Sequence, residues 1–217
     1  MVAAWELNDD NRPQLLVGLP HKDSVTFEWA LGFRNLQINV PAIFTSSRGC
    51  PIDMSRNEVV RSALENKCDW VFFLDTDVIC PPDTITRLLA HNLPIVSGVY
   101  YTRAPPLEPA VWREIQPNGK QAIQFQPGQG LIEADFIGAG CLLIHTSVFK
   151  NIESPYFKWT LSFEDPKNPM VGRSEDFEWC KKVRSRGYKV FVDTSIICKH
   201  GISNGYTDHQ GMHISLI

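Results

Sequence analysis

Trp70-Val-Phe-Phe-Leu74 is an apolar run without polar alternation, and it stops abruptly at Asp75-Thr-Asp77. A strand with one wet face alternates apolar and polar residues. A continuous apolar run instead fits the middle of a parallel sheet, where helices cover both faces. In such sheets ligands gather at the carboxyl ends of the strands, which is where the two carboxylates stand. The rest of the chain can support that sheet. With 217 residues, 43% hydrophobic and 21% charged, it has the material for one sizeable core, and disorder or a fibrous repeat is excluded. The net charge of -3 and the dispersed basic residues indicate no nucleic acid partner.

Strand and helix patterns alternate through the first hundred residues. Residues 15–20 read as a buried strand, 23–33 carry helical periodicity, 40–44 form a second strand, and the turn-rich segment 45–51 reads as a loop. Ser55-Arg-Asn-Glu58 matches a capping box and predicts a helix over 55–66. Pro81-Pro82-Asp83 introduces a helix over 84–91, and 94–101 returns as a strand. This alternation predicts an α/β fold with a parallel, doubly wound sheet. After Arg103 the pattern is less regular. It comprises a loop over 104–109, a hairpin over 111–125 around Asn118-Gly119, strands at 131–136 and 141–145 split by Gly138-Ala-Gly140, a helix over 175–186, and strands at 189–192 and 194–197.

No apolar run approaches the roughly 20 residues that cross a bilayer. Residues 1–11 carry Glu6, Asp9 and Asp10 and lack the pattern of a secretory signal, so the expected location is cytoplasmic. The cysteines at 50, 68, 80, 141, 180 and 198 show no Cys-x-x-Cys pair. They are expected to be reduced, mostly buried thiols, the even count leaving a secreted disulfide framework as the alternative.

Chance alone supplies about one Asp-x-Asp match in a chain of this composition, so position gives Asp75 and Asp77 their weight. If strand geometry persists, both project to one side and make a hard-oxygen cation site. The competing explanation is a solvated turn. Glu175 and Asp176 open a helix, where acids are favoured by the helix dipole in any case, with Ser174 available as a cap; the functional alternative is a general base for an acceptor hydroxyl. His200 carries an imidazole suited to manganese-like ions, and only folding can bring it to the acids. Gly138-Ala-Gly140 lacks the third glycine of a dinucleotide fingerprint, Leu143 standing in its place, but allows close approach of a ligand to the backbone. His209 and His213 have i, i+4 spacing without the accompanying Glu of a zinc protease. Neither a serine-hydrolase elbow nor a Walker loop is present.

Taken in order, Val17-Gly-Leu-Pro20, Ser55-Arg56-Asn57, Phe72-Phe-Leu-Asp75-Thr-Asp77 with Pro81-Pro82-Asp83, Gly138-Ala-Gly140, Ser174-Glu175-Asp176 and His200 resemble the family-two-like GT-A glycosyltransferases. The resemblance spans about residues 15–200. It implies a single Rossmann-like GT-A domain over 1–217 with a central, mostly parallel sheet flanked by helices and a small additional hairpin sheet. The nucleotide-binding half would cover about 15–103 and the acceptor half about 104–205. By this resemblance Asp75, Asp77 and His200 hold Mn2+ or Mg2+, and Pro20, Ser46, Ser47, Arg56, Asp75 and Gly140 line the site of a UDP- or GDP-sugar. Glu175 and Asp176 form the acidic motif beside the acceptor, with Asp176 the base of an inverting transfer.

The acceptor is expected to be a glycan, protein or small molecule. The chain ends soon after His200 without a transmembrane tail or lectin domain, which favours a soluble acceptor, and residues 104–130 match no motif of the family. The alternatives are a nucleotidyltransferase on the same fold, a nucleotide-sugar or carbohydrate-binding protein without turnover, and a stand-alone metal-binding protein. For the first, the Gly- and Lys/Arg-rich loop expected after the first strand is replaced by Gly18-Leu-Pro-His-Lys22.

Overall fold

The apolar run from Trp70 to Leu74 forms strand β3 and is buried along its whole length. The computed structural model describes residues 12–21, 24–48, 51–115, 119–162, 171–203 and 205–214, with the side chains of 161–162 and 171–173 excepted. In chain order, the first part comprises β1 (Leu15–His21), α1 (Phe27–Arg34), β2 (Ala42–Arg48), α2 (Ile52–Glu65), β3 (Trp70–Leu74), β4 (Val78–Ile79), α3 (Thr84–Ala90) and β5 (Ile95–Val99). The second part comprises β6 (Val111–Ile115), β7 (Gly119–Ala122), β8 (Leu131–Ala134), β9 (Phe136–Ile137), β10 (Cys141–His145), the short α4 (Ser147–Lys150), β11 (Thr160–Ser162) and β12 (Val171–Arg173). The chain continues through α5 (Glu175–Ser185), β13 (Val190–Ile197), β14 (Lys199–Ile202), β15 (Gly205–Asp208) and β16 (Gly211–Ile214).

The described residues form a seven-stranded sheet in the order β2-β1-β3-β10-β5-β13-β8. Strands β1, β2 and β3 pair in parallel, as do β5 and β13, while β10 and β8 run against their neighbours. The sheet is therefore mixed. It is less parallel than the mostly parallel sheet expected: β10, a distant segment, inserts antiparallel between β3 and β5. Alternate residues of β3 point to opposite layers. Val71 and Phe73 join Leu16, Leu142 and Ile144 against Val59, Val60 and Ala63 of α2 and Trp179 and Val183 of α5. Trp70, Phe72 and Leu74 join Leu15 and Val17 against Trp29 of α1 and Ile85, Leu88 and Leu89 of α3. Helices on both faces explain why β3 shows no polar alternation.

Several local expectations are corrected. Residues 45–48 are strand rather than loop, because β2 pairs in register with β1 as far as His21↔Arg48, and sheet pairing overrides turn-forming composition. Ser46 and Ser47 thus stand on a strand. Helix α2 starts at Ile52, so Ser55 lies inside it and donates its backbone N–H to the Pro51 carbonyl; Glu58 pairs with Arg61 instead of closing a capping box. Helix α1 begins at Phe27, where Thr26 Oγ1 accepts the Trp29 N–H at 3.1 Å; Asp23, like Asn118 of the hairpin, lies outside the described residues. The strand over 131–136 is split at Asp135. Its first half, β8, pairs with β13, and its second, β9, turns to β6. The pieces at 189–192 and 194–197 are one strand, β13, with a register shift against β5.

A sheet that the sequence does not announce, β16-β15-β14-β4, closes the end of the molecule next to Asp77. His213 Nε2 lies 2.9 Å from Asp208 Oδ1 within it, and among the described residues His209 and His213 belong to no metal-ligating group. No helix of the described residues is long and apolar enough to cross a membrane.

Candidate active site

The chain leaves β3 at Leu74 and turns immediately, with the Val78 N–H donating to the Asp75 carbonyl at 3.0 Å. Strand geometry therefore does not persist through the tripeptide, and the two acids take different partners. The backbone of Asp75 is pinned from two layers. Its N–H donates to the Gly140 carbonyl at 3.0 Å, and its carbonyl accepts from Trp29 Nε1 at 3.0 Å. Its Oδ2 accepts from Arg56 Nη2 at 3.0 Å, while its buried Oδ1 has no hydrogen-bond partner among the described residues.

Arg56 projects from α2 and is only 2% exposed. Besides Asp75 it donates from Nε to Glu175 Oε1 at 3.0 Å and from Nη1 to the Ala139 carbonyl at 3.4 Å. One guanidinium thus ties together the end of β3, the start of α5 and the Gly138–Gly140 segment. Burial alone would lower its pKa, but the charges of Asp75 and Glu175 outweigh that and hold it above its ordinary value. Gly140 is a glycine for a local reason. A Cβ there would lie 2.9 Å from Val78 Cγ2 and 3.1 Å from Asp75 Oδ2.

Asp77 faces the solvent side of the site. His200 on β14 pairs with Val78 on β4, which brings its ring alongside, Nε2 lying 3.8 Å from Asp77 Oδ1. The other ring nitrogen, Nδ1, donates to the Tyr101 carbonyl at 2.6 Å. That fixes the tautomer and leaves Nε2 as the ring's acceptor nitrogen, the arrangement metal-binding histidines use. Burial holds the His200 pKa below the ordinary range, with nearby Arg103 acting in the same direction. The Arg103 guanidinium contacts both residues, pairing with Asp77 through Nη2 and donating from Nε to His200 Nε2 at 3.0 Å. A cationic group thus sits between the expected ligands.

Asp176 opens α5 next to Glu175. Its Oδ1 accepts from Ser174 Oγ and from the Phe177 N–H, and burial pushes its pKa up despite those bonds. Glu175 is also raised, by burial first and then by the charge of Asp176. Tyr100 connects the two acidic groups. Its hydroxyl oxygen accepts the Gly140 N–H at 3.2 Å, its ring meets His200 edge to face at 5.0 Å, and burial together with the charges of Asp75 and Asp176 raises its pKa well above the ordinary value. Beyond Asp176, Lys120 from the β6–β7 hairpin lies 3.9 Å from the Phe177 ring centroid and 4.4 Å from that of Trp112.

Pro20 and Ser47 pair in register at the ends of β1 and β2, with Ser46 beside them. Because β1 runs parallel to β3, these residues stand at the end of the sheet that carries Asp75. Sequence reasoning missed Tyr100, Tyr101 and Arg103. The available signal was positional, since all three follow the apolar strand β5 as Asp75 follows β3.

No protein-family model matches the chain, and no curated protein matches it in sequence. Solved structures do. A197 from STIV superposes with a TM-score of 0.67 at 16% identity, over 94% of this chain and 95% of that one. GalNAc-T7, solved with UDP, GalNAc and Mn2+, superposes with a TM-score of 0.52 at 11% identity, over 87% of this chain and 43% of that one. The fold is that of the GT-A glycosyltransferases. Within the GT-A fold of this chain, Asp75, Asp77, Arg56, Glu175, Asp176 and His200 converge on one end of the central sheet through β3, α2, α5 and β14. This chain spans less than half the length of GalNAc-T7.

Proposed function

We propose that the protein is a metal-dependent glycosyltransferase that moves a sugar from a UDP- or GDP-sugar to an acceptor hydroxyl. The observation that carries this reading is the approach of His200 Nε2 to 3.8 Å from Asp77 Oδ1. Asp75 does not stand within 4.8 Å of both as a third ligand, so a bound ion would draw it in or leave it to the ribose. Two carboxylates and a neutral imidazole suit Mn2+, and the carboxylates also suit Mg2+. Asp77 and His200 would be direct ligands, with Asp75 contacting the ribose or, after a side-chain shift, the ion. The Arg103 contacts support the same reading, since they mark the spot as one that attracts positive charge. When bound, the cation would neutralise the charge that develops on the leaving diphosphate.

The chain's own residues perform the remaining steps. Pro20, Ser46, Ser47 and the Gly140 backbone line the donor side. Arg56 keeps Asp75 and Glu175 in fixed positions from behind. Asp176 Oδ2, which is not engaged by Ser174 or the Phe177 N–H, takes the acceptor proton as the hydroxyl attacks from the face opposite the leaving group, giving inversion. A carboxylate whose pKa is raised is the better base for that transfer. The hairpin with Lys120 and Trp112 is next to Asp176, which supports residues 104–130 as the determinants of acceptor choice.

The test incubates the protein with Mn2+ and a panel of UDP-, GDP- and dTDP-sugars and measures nucleotide release, alongside Asp77→Ala and Asp176→Ala. The expected outcome is release by wild type alone, with donor binding retained in Asp176→Ala. Donor binding without release in wild type would favour a nucleotide-sugar-binding protein. Neither release nor a nucleotide-induced rise in Tm would overturn the reading.

A further inference from the structure

Three chain-distant segments bring three cysteines together beneath the candidate site. Cys80 follows β4, Cys141 opens β10, and Cys198 lies between β13 and β14. Their Sγ atoms all lie within 4.8 Å of one another, Cys80 being 3.5 Å from Cys141 and 3.4 Å from Cys198. Cys141 and Cys198 are fully buried and Cys80 is 6% exposed. An isolated buried cysteine behaves as a small apolar side chain. Three sulfurs directed at one point make a donor set.

The neighbouring backbone is shaped to this cluster. Gly98 on β5 donates its N–H to Cys141 Sγ, and a Cβ at Gly98 would lie 2.9 Å from that same sulfur. The glycine therefore lets the sulfur reach its position, and the amide gives it the kind of outer hydrogen bond that supports metal ligands.

We propose that Cys80, Cys141 and Cys198 form a three-sulfur site for a thiophilic d10 cation of the Cu(I) or Zn(II) class. Soft thiolates select these ions. With metal–sulfur bonds of about 2.3 Å, ligand sulfurs stand roughly 3.8–4.0 Å apart, so Cys80 need only draw back from its two neighbours by a few tenths of an ångström to admit an ion. Among the described residues no further His, Cys, Asp or Glu joins the group, so three sulfurs are the donor set these residues offer. As each sulfur coordinates, its thiol proton passes to solvent. Cys80, with its residual exposure, is the side of entry. The three ligands stand within three residues of Asp77, Gly140 and His200, so the ion would fasten together the segments that carry the candidate site without entering it. This inference does not depend on the glycosyltransferase reading.

The test titrates the full, reduced chain with Cu(I) and, in a parallel arm, with Zn(II), each against a chromophoric chelator, followed by X-ray absorption at the metal edge. One equivalent of at least one ion should be retained, with a shell of three sulfurs at about 2.2–2.3 Å. Cys198→Ser should bind at least about tenfold more weakly, and Cys68→Ser, a buried cysteine outside the cluster, should match wild type. Retention of neither ion, a shell with fewer than three sulfurs or with added nitrogen or oxygen donors, or equal binding by Cys198→Ser would overturn the proposal. If Cys198→Ser does not fold, the sulfur count in wild type decides.

Discussion

Arg56 and Arg103 each pair with an aspartate of the same tripeptide, yet the two pairs are built in opposite ways. Arg56 is 2% exposed and divides its guanidinium among Asp75, Glu175 and the Ala139 carbonyl. The Arg103 side chain is 53% exposed and meets Asp77, itself 35% exposed, from the solvent side. A buried cation whose partners are also desolvated cannot leave without stranding their charge. An exposed one exchanges readily, because water replaces its partner at little cost. One end of the sheet thus carries a buried brace and, on its solvent side, an exposed pair that costs little to break.

The largest effect should come from breaking the brace. Arg56→Met leaves Asp75 and Glu175 without their counter-charge and should cost about 3–5 kcal/mol, measured as a fall in the denaturation midpoint. A variant that unfolds at the wild-type midpoint would show that Arg56 does not tie β3 to α5.

Next is Asp176→Asn, expected to reduce turnover by about 100- to 10,000-fold while leaving donor affinity in place. Its stability should move the other way. Burial raises the Asp176 pKa, so its contribution to stability is full below the unfolded value and is lost as pH rises through the folded one. At neutral pH the ionised group is a net cost, and the amide should melt at or above wild type, the difference shrinking as pH falls through that window. A variant that melts lower at pH 7 and closes that gap in acid would contradict the burial account, because the ionised carboxylate would then be stabilising.

Smaller effects belong to the exchangeable position. Asp77→Asn should weaken Mn2+ binding by at least about tenfold in a calorimetric titration, the scale of loss even an outer partner causes. Arg103→Gln should change stability by less than about 1 kcal/mol and should tighten Mn2+ binding, since a competing cation is removed. Weaker binding in Arg103→Gln would mean that Arg103 supports the ion rather than substituting for it.

The same contrast explains how much the sequence discloses. The apolar run of β3, ending at Asp75, is readable because a strand covered on both faces needs no partner's identity to show its pattern. Helix α5 and its acids are readable from local periodicity and charge. Arg56 can be picked out as a residue, but its burial between two acids cannot, because that depends on α2 and α5 packing on the same face of the sheet. The insertion of β10 between β3 and β5 and the sheet carrying His200 are pairings of distant segments that leave no local trace. The turn-forming residues of 45–48 mislead for the same reason. Their conformation is set by β1 and not by their own preferences. The cysteine cluster is likewise invisible along the chain, its members being separated by 61 and 57 residues.

One contact matters most for a metal-bound site, the approach of His200 Nε2 to Asp77. Pulsed electron paramagnetic resonance on the Mn2+-loaded protein reads that contact directly. A nitrogen hyperfine coupling present in wild type, unchanged in Asp176→Asn and lost in His200→Gln is the predicted result. Bound Mn2+ with no nitrogen in its shell, or a coupling that survives the loss of the imidazole, would contradict it.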